Sequence, residues 1–378
     1  MSNDRKLYIS IGILAYNESA VISTTLNSLL QQSLFSEPNP DMVIEIVVVP
    51  NGCKDDTAAI SRATLAELIK PSLHTNVNWR VCEVEQAGLA NAWNLYIHEF
   101  SDPQADYLFV MSADIQLLDP QTLRSMVQIL ETRPEAWVSV DKRIKDVSLK
   151  EKKSLMEQLS TLVSGLSGSK AVEGSAAWIS GQLSCTRAKV LRRIWMPTTL
   201  PTDDAFLYTM IVTDFLKAPE EPNRVILASS ASHVFEAYTD MNRLLRHEKW
   251  LIFGQAVNEL LYADLLENSK EQQDITLLIK QRNERDPFWL NKLVQTAINE
   301  KGGWLIPNFI LIRRFQSLFY KPIYKAILLF PLAFAAFILD AILAFQVNLE
   351  LHSKGGVGYW LGSGGWGKSA QKSTQLVQ

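Results

Sequence analysis

A carboxylate directly follows a run of apolar residues in YLFVMSADIQLLDP, the segment from Tyr107 to Pro120. The apolar run predicts a buried strand, and Ser112 and Asp114 stand at its end. Two roles fit an acid in this place, a cap on the helix that follows or a ligand for a divalent cation. This segment alone leaves both open.

Three earlier segments also place polar residues after an apolar run. They are LAYNES (14–19), VVPNGCKDDT (48–57) and EQAGLANAW (85–93). In the first, Tyr16 could stack on a nucleotide base, whereas Asn17 and Glu18 could bind a ligand or cap the next helix. Helix capping is the interpretation that we favour for this segment taken by itself.

The second and third segments have equally plain structural alternatives. Asn51 and Gly52 predict a tight turn, and the sequence DDT at 55–57 would start a helix. Gly88 would allow the backbone to approach a ligand, but its segment contains no lysine to bind a phosphate.

Two further segments carry charged residues in the second half of the chain. LPTDDAFL (200–207) places Asp203 and Asp204 side by side, either as a base for a hydroxyl group or as a helix N-cap pair. RLLRHEKW (243–250) could bind phosphate or form a solvated helix face. His233 lies in a predicted strand, where we expect a structural role.

Alternating strands and helices position the first four segments. Strands are predicted at 6–16, 43–50, 78–85 and 106–111, and helices at 18–32, 55–70, 88–100 and 119–132. Such alternation predicts a parallel sheet with helices on both faces and ligands beyond the carboxyl ends of the strands. The second half is mainly helical, with a strand at 225–238, helices at 148–165, 240–267 and 270–286, a flexible loop at 165–181, and a glycine-rich tail.

The net charge, the cysteines and the N-terminal residues argue against certain classes of protein for this chain. The net charge of −3 argues against nucleic-acid binding, which requires clustered lysine and arginine. The 3 cysteines have no metal-site spacing and form no simple disulfide framework, so a reducing compartment is expected. The N-terminus lacks the pattern of a signal peptide.

An apolar run of 22 residues, at 326–347, contains the single charged residue Asp340. About 20 apolar residues suffice to span a bilayer, but a charge there must face protein or water. The alternative is an amphipathic helix that lies on the membrane or packs on the domain. Basic residues precede the run and predict that its N-terminal side faces the cytoplasm: Arg313, Arg314, Lys321 and Lys325.

Taken in order, these segments resemble glycosyltransferase family 2. LAYNES resembles the opening P-A-Y-N-E of that family, VVPNGCKDDT a known N-G-C-x-D-D-T form, and GLANAWN its A-x-N-x-G helix start. FVMSADIQLLDPQTL resembles the strand that ends in D-x-D, and ISGQLSCTRAKVLRRI the G-x-x-x-x-x-R element. LPTDDAFL and RLLRHEKW are similar to the T-E-D and Q-x-x-R-W elements of membrane-linked members. The likeness covers about residues 1–255.

The resemblance implies a GT-A fold, which is an α/β fold with a Rossmann-like, mostly parallel sheet. It also implies a nucleotide-sugar site, an acceptor or diphosphate site, and Mg²⁺ or Mn²⁺ bound by Asp114. Asp204 would be the catalytic base, with Asp203 beside it. The implied nucleotide-sugar residues are Ala15, Tyr16, Asn17, Glu18, Asn51, Asp55, Gly88, Asn91, Ser112 and Asp114. The implied acceptor or diphosphate residues are Arg246, Lys249 and Trp250.

Three positions depart from the family pattern. Ser112 replaces the first acid of D-x-D and is expected to weaken ribose contact or metal affinity. Pro50 and Asn51 replace an Asp-Asp pair, so a carboxylate cannot read the base there, although the Asn51 amide could. Lys249 replaces an arginine and lacks its bidentate fork for phosphate.

The implied function is an inverting transfer of sugar from a nucleotide-sugar, with UDP as the expected nucleotide, to a glycan, lipid or polysaccharide acceptor. We expect it at the cytoplasmic face of the cell membrane. The expected organisation is a catalytic domain at 1–255, a helical extension at 256–320 and a membrane-associated end at 321–378. The alternatives are a degenerate member that binds without turnover and a nucleotidyltransferase, whose lysine-bearing phosphate loop is missing here.

Overall fold

The computed structural model describes residues 6–37, 39–70, 74–149, 172–237, 240–269, 274–319 and 321–354. Most of the predicted helix at 148–165, much of the predicted loop at 165–181 and most of the glycine-rich tail lie outside these ranges. The described residues form two units. The first contains 6–196 and 206–237, and the second contains 197–205 and 240–354.

Among the described residues, seven strands form one mixed sheet in the order β3-β2-β1-β4-β6-β5-β7. The strands are β1 Leu7–Ala15, β2 Met42–Pro50, β3 Val77–Val81, β4 Tyr107–Ser112, β5 Val138–Lys145, β6 Leu183–Arg187 and β7 Val225–Phe235. β1 pairs in parallel with β2 and β4, and β2 with β3, whereas β6 is antiparallel to β4 and β5. The sheet is therefore mostly parallel, as predicted.

The helices of the first unit cover the sheet. They are α1 Ile22–Leu30, α2 Ser33–Ser36, α3 Thr57–Leu68, α4 Leu89–Leu95, α5 Thr122–Thr132, α6 Asp146–Leu149 and α7 Ala188–Leu191. A π-helical turn, Tyr96–Phe100, continues α4, and a 3₁₀ turn, Pro222–Arg224, precedes β7. The four predicted strand–helix pairs are thus confirmed, with helix starts moved by one to four residues.

The central strands are apolar on both faces because helices cover both sides of them. In β2, for example, the consecutive residues Ile46, Val47 and Val48, whose side chains alternate between the two faces, are each 0% exposed. Gly12 permits the tyrosine ring of Tyr96 to lie against β1, since a Cβ at residue 12 would stand 2.3 Å from that ring.

α8, Asp203–Val212, begins in the second unit and ends in the first. The other helices of the second unit are α9 Met241–Ser269, α10 Ile275–Arg285, α11 Trp289–Lys301, α12 Asn308–Phe319 and α13 Ile323–Lys354. α13 extends the predicted apolar run at both ends. By length and composition it could cross a membrane, with a mean hydropathy of 2.5 and 17% of its most apolar window buried.

Candidate active site

The carboxyl ends of three neighbouring strands lie at one level of the sheet. Leu14 of β1 is in register with Val49 of β2 and with Ser112 of β4. Because these strands are parallel, the segments that follow them leave the same edge side by side. The structure therefore brings together the segments that begin at residues 16, 51 and 113, within one unit.

Asn51 connects its own segment to those of Ala15 and Gly88 through both ends of its amide. Its Nδ2 donates to the carbonyl oxygen of Ala15 at 2.8 Å, and its Oδ1 accepts from the backbone N–H of Gly88 at 3.1 Å. The side chain is only 4% exposed. Its contacts support a structural role in holding three loops together, in place of the predicted contact with a base.

Asp55 fixes the first loop against the second. Its carboxylate accepts from the backbone N–H groups of Ser19 at 3.0 Å and Thr57 at 3.2 Å, and from the Thr57 hydroxyl. Partial burial raises the pKa of Asp55, but these hydrogen bonds outweigh it and hold the pKa below its usual value. The backbone N–H of Glu18 also donates to Thr57 Oγ1, at 2.8 Å.

The predicted cap of the first helix by Asn17 or Glu18 is wrong. α1 begins at Ile22, and its N-cap residue, Val21, makes no side-chain cap hydrogen bond. Asn17 instead adopts a left-handed φ of 54°, and its Oδ1 accepts from the N–H of Lys54 at 2.8 Å. The polar residues of LAYNES thus shape the loop, and Tyr16 is half-buried within it.

The second and third loops each contain a glycine at a position with positive φ. Gly52 has a φ of +62°, and a Cβ on it would lie 2.4 Å from the Ala87 side chain. Gly88 has a φ of 157° and precedes α4, which carries the half-buried Asn91. Glycine is therefore required for conformation and space at residue 52 and for conformation at residue 88.

Asp114 does not cap the next helix, because α5 begins eight residues later at Thr122, after its N-cap residue Gln121. Asp114 is half-buried, in a loop that is held on both sides. The N–H of Ser112 donates to the carbonyl of Gln182 at 2.8 Å. Beyond Asp114, Gln116 and Val234 exchange two backbone hydrogen bonds of 3.0 and 2.8 Å. The carboxylate thus stands on a fixed loop at the sheet edge.

Gln182 and Val234 hold the Asp114 loop from two sides and together form its clamp. His233 links these two residues. It is fully buried next to Val234, and its Nδ1 lies 2.7 Å from the carboxylate of Asp141. Its Nε2 lies 3.2 Å from the side-chain oxygen of Gln182. Burial raises the pKa of Asp141, whereas its hydrogen bond and charge interaction with His233 lower it. These contacts support the structural role that we expected for His233.

The acid pair opens α8 in the second unit. Asp203 is 6% exposed, and burial, followed by the charge of Asp204, raises its pKa to about 7. Asp204 is half-buried, and its Oδ1 accepts from the N–H of Ala205 at 2.8 Å. Burial lowers the pKa of His247, while Glu248 and Asp204 act in the opposite direction, so His247 feels the charge of this pair.

The segment RLLRHEKW lies in α9. Lys249 Nζ forms an ion pair of 2.5 Å with Glu350, and a diphosphate would have to compete with that carboxylate. Trp250 stacks on His247 with ring centroids 5.9 Å apart. Arg246 is exposed towards solvent on the same helix, with its Nε 3.4 Å from the Asn242 carbonyl.

Within the described residues, no group of three or more His, Cys, Asp or Glu side chains is arranged to hold a metal ion. Mg²⁺ is commonly held by one or two carboxylates together with substrate phosphates and water. The surroundings of Asp114 therefore fit a cation that is shared with a bound diphosphate, but not one held by the protein alone.

Comparison with known proteins shows which family this arrangement of strand ends belongs to. The model of the family described as glycosyl transferase family 2 matches residues 10–195, which include the three aligned strand ends, Asp114 and Gln182. The chain belongs to glycosyltransferase family 2. Comparison with curated proteins gave no match.

Two solved structures illustrate the range of similar glycosyltransferases. S. aureus TarS 1-349 in complex with UDP is 17% identical over 92% of both chains, with a TM-score of 0.44. Glucosyl-3-phosphoglycerate synthase from Mycobacterium tuberculosis, in complex with Mn²⁺, UDP-glucose and glycerol 3-phosphate, is 14% identical. That alignment covers 63% of this chain and 75% of the other, with a TM-score of 0.40. The family match, and not these distant likenesses, carries the assignment.

Sequence reasoning missed two residues of this glycosyltransferase that hold the Asp114 loop. Asp141 lies in β5, a strand that was not predicted because VSVDKRIK carries three consecutive charges. Gln182 was part of a quoted motif, but nothing in the sequence indicated its carbonyl contact with Ser112. The isolated polar side chains within buried strands, Asp141 and His233, were the signal that could have been followed.

Proposed function

We propose that this family 2 glycosyltransferase is an inverting, metal-dependent enzyme that uses a UDP-sugar. The observation that carries the proposal is Asp114, a half-buried carboxylate on a clamped loop at the sheet edge where two other strand ends meet. A diphosphate with a divalent cation matches a single fixed carboxylate of this kind.

In this proposal the donor occupies the loops after β1, β2 and β4. Tyr16 and Asn91 line the nucleotide side, whereas Asn51, Asp55 and Gly88 hold the loops in shape. A bound Mg²⁺ or Mn²⁺ would neutralise the charge that develops on the departing diphosphate. Ser112 contributes no charge, so Asp114 supplies the carboxylate of the D-x-D element.

Asp204 is the proposed base. It removes the proton from the acceptor hydroxyl, whose oxygen forms the new bond to the anomeric carbon as the bond to the diphosphate breaks. The raised pKa of Asp203 supports this division of roles, since a neighbour that keeps its proton near neutral pH leaves one negative charge on Asp204. A single displacement of this kind inverts the anomeric configuration.

We further propose that the acceptor is a glycan, lipid or polysaccharide at the cytoplasmic face of the cell membrane. The uncovered apolar residues of α13 support membrane contact. The proposed catalytic domain ends near residue 255, a helical extension covers 256–320, and residues 321–378 form the membrane-associated end.

A panel of nucleotide-sugars with and without Mn²⁺ tests this function. A true donor at a hundredfold excess over its Kd should stabilise the folded protein by about 2.7 kcal/mol in a thermal-shift experiment. The same donor should be slowly hydrolysed when metal is present. Stabilisation without any hydrolysis would favour a degenerate, binding-only member, and no response to any donor would reject the proposal.

A further inference from the structure

α13 presents two opposite stripes of residues, and within the described part of the chain protein packs against only one of them. Residues of the first stripe recur at steps of one, three, four or seven positions and face the other helices of the second unit: Ala333, Asp340, Leu343, Ala344, Val347 and Leu351 are each at most 9% exposed. This spacing defines one face of a helix. The C-terminal two thirds of α13 are therefore packed on protein along this inner stripe.

The outer stripe lies on the opposite face and remains uncovered. Its large side chains are 44–75% exposed: Tyr324, Ile327, Leu328, Phe334, Ile338, Ile342, Phe345 and Leu349. No charged residue interrupts this face between 324 and 349. At 1.5 Å per residue the stripe is about 38 Å long, and an apolar surface of that length marks an interaction site.

A charge cluster on the inner stripe ties α13 to two other helices. Asp340 is fully buried and accepts from Nε of Arg313 at 3.0 Å and Nε of Arg314 at 2.8 Å, both on α12. Both arginines also contact Glu248 on α9, at 3.3 and 3.4 Å. Separation from these arginines would leave the buried carboxylate of Asp340 without a countercharge, so Asp340 stays with its partners.

This cluster opposes a membrane-crossing orientation. If the apolar run 326–347 filled a hydrocarbon layer about 30 Å thick, Asp340 would lie inside it, 14 residues or about 21 Å from one end of the run and 7 residues or about 10 Å from the other. α12 and α9 would have to follow it there. α9 carries five ionisable side chains between residues 243 and 249, for which that environment is costly.

We propose that α13 lies in the plane of an anionic lipid bilayer, with its outer stripe in one leaflet and its inner stripe on the protein. Interfacial helices of this kind immerse an apolar face by about 5–10 Å and are held by basic residues at the headgroups. Lys321 and Lys325 supply such charges at the start of α13. This inference deepens the membrane location in the proposed function and rests on it, whereas it does not depend on catalysis.

Flotation with preformed vesicles tests the binding surface on the full chain without detergent. The protein should float with vesicles containing phosphatidylglycerol and bind vesicles of phosphatidylcholine alone less strongly. The double change Ile338→Asp with Ile342→Asp should reduce binding by about tenfold or more, because two exposed apolar side chains that would enter the bilayer are lost. Leu277→Asp on α10, which is 54% exposed in the parent, is the matched control and should bind normally.

Nitroxide labels distinguish a helix in the membrane plane from one that crosses. Single cysteines would be introduced as Ile327→Cys, Ile338→Cys or Phe345→Cys, with Cys53 and Cys82 changed to serine and the fully buried Cys185 retained. An in-plane helix should give similar depths at all three positions. Residues 327 and 338 are about 16 Å apart along the helix, so a crossing helix would place them at clearly different depths.

Three results would overturn the inference: no flotation of the parent, unequal label depths, or a dimer in light scattering that the two Asp changes dissociate while vesicles remain unbound. The last result would assign the outer stripe to a second copy of the chain. Donor hydrolysis in solution should be unchanged in Ile338→Asp with Ile342→Asp. If neither the parent nor the double variant hydrolyses any donor, while the parent still floats with vesicles, only the catalytic proposal is rejected.

Discussion

Two adjacent carboxylates begin α8 in different surroundings. Asp203 is buried and has a pKa of about 7, whereas Asp204 is half-buried near His247. Neighbouring acids whose pKa values are pushed apart can divide acid and base roles between them. The pair also occupies the first turn of a helix, where the partial positive charge of the helix end favours negative side chains.

Asp204→Asn keeps the size of the side chain and removes its basicity. We expect kcat to fall by about 10²–10⁴-fold, as is typical when a general base is lost, with donor affinity nearly unchanged. Asp203→Asn is the matched control, and its smaller effect should fall on the acceptor KM. Steady-state kinetics and donor titration measure both values, and a near-parent kcat for Asp204→Asn would remove it from this role.

The pKa of Asp203 also predicts how stability changes with pH. The folded protein keeps this proton up to about pH 7, whereas the reference value for the group is 3.8. Its contribution to stability is therefore complete below pH 3.8 and is lost as the pH rises through about 7.

Asp203→Asn removes this dependence. Its Tm relative to the parent should be higher at pH 8 than at pH 5, as measured by calorimetry at both values. The exposed Asp56→Asn serves as the control and should give a similar difference at each pH. A relative Tm for Asp203→Asn that is the same at pH 5 and pH 8 would show that Asp203 ionises readily in the fold and would contradict the raised pKa.

Asp114→Asn tests the proposed cation site. The amide retains the shape of the side chain but lacks its charge, so metal-dependent donor binding should be lost while the Tm without ligand stays near that of the parent. Calorimetric titration of donor with Mn²⁺ measures the effect. Ser112→Asp, which restores an acid to the D-x-D element, should tighten metal binding or leave it unchanged. Parent-like binding by Asp114→Asn would contradict the assignment.

At the scale of elements, the sheet edge is built by contacts of long sequence separation. The loop with Asp114 is held by Gln182 on one side and by Val234 on the other, with His233 and Asp141 behind it. Such a buried polar network fixes a loop when every member has a partner. β6 enters the sheet antiparallel between β4 and β5 and supplies one half of this clamp.

The first four strand–helix pairs could be predicted because their apolar runs and turn residues alternate clearly. β5 could not, because its polar residues conceal a strand that is buried by its neighbours. The loop residues were identified correctly as positions near the sheet edge. Their individual contacts could not be predicted, since Ala15, a partner of Asn51, and Ser19, a partner of Asp55, each lie 36 residues away in sequence.

A double-mutant cycle tests the network behind the Asp114 loop. His233→Ala leaves the Asp141 carboxylate buried without this partner and should lower the free energy of unfolding by about 1–3 kcal/mol. Asp141→Asn should lower the free energy of unfolding less in the His233→Ala variant than in the parent. The difference, measured by urea denaturation, is the coupling energy and should be about 0.5–3 kcal/mol. His233→Ala combined with the exposed change Glu135→Gln should be additive. Additivity of the first pair would contradict the network.

At the scale of the whole molecule, the proposed base and the proposed membrane-binding stripe begin on different helices of the second unit, α8 and α13. The second unit contains both Asp203 and Asp204 and the buried cluster of Arg313, Arg314 and Asp340. Removing α13 would leave both arginines beside Glu248 without Asp340. Point changes on the outer stripe therefore separate membrane binding from catalysis more cleanly than truncation does.

The anomeric configuration of the sugar released from an α-linked UDP-sugar tests the central claim most directly, because it requires no knowledge of the acceptor. Water takes the place of the acceptor hydroxyl, and proton NMR can record the first product before mutarotation. A base-assisted single displacement predicts the β anomer, with its release dependent on metal and strongly reduced in Asp204→Asn. Initial release of the α anomer would contradict the account.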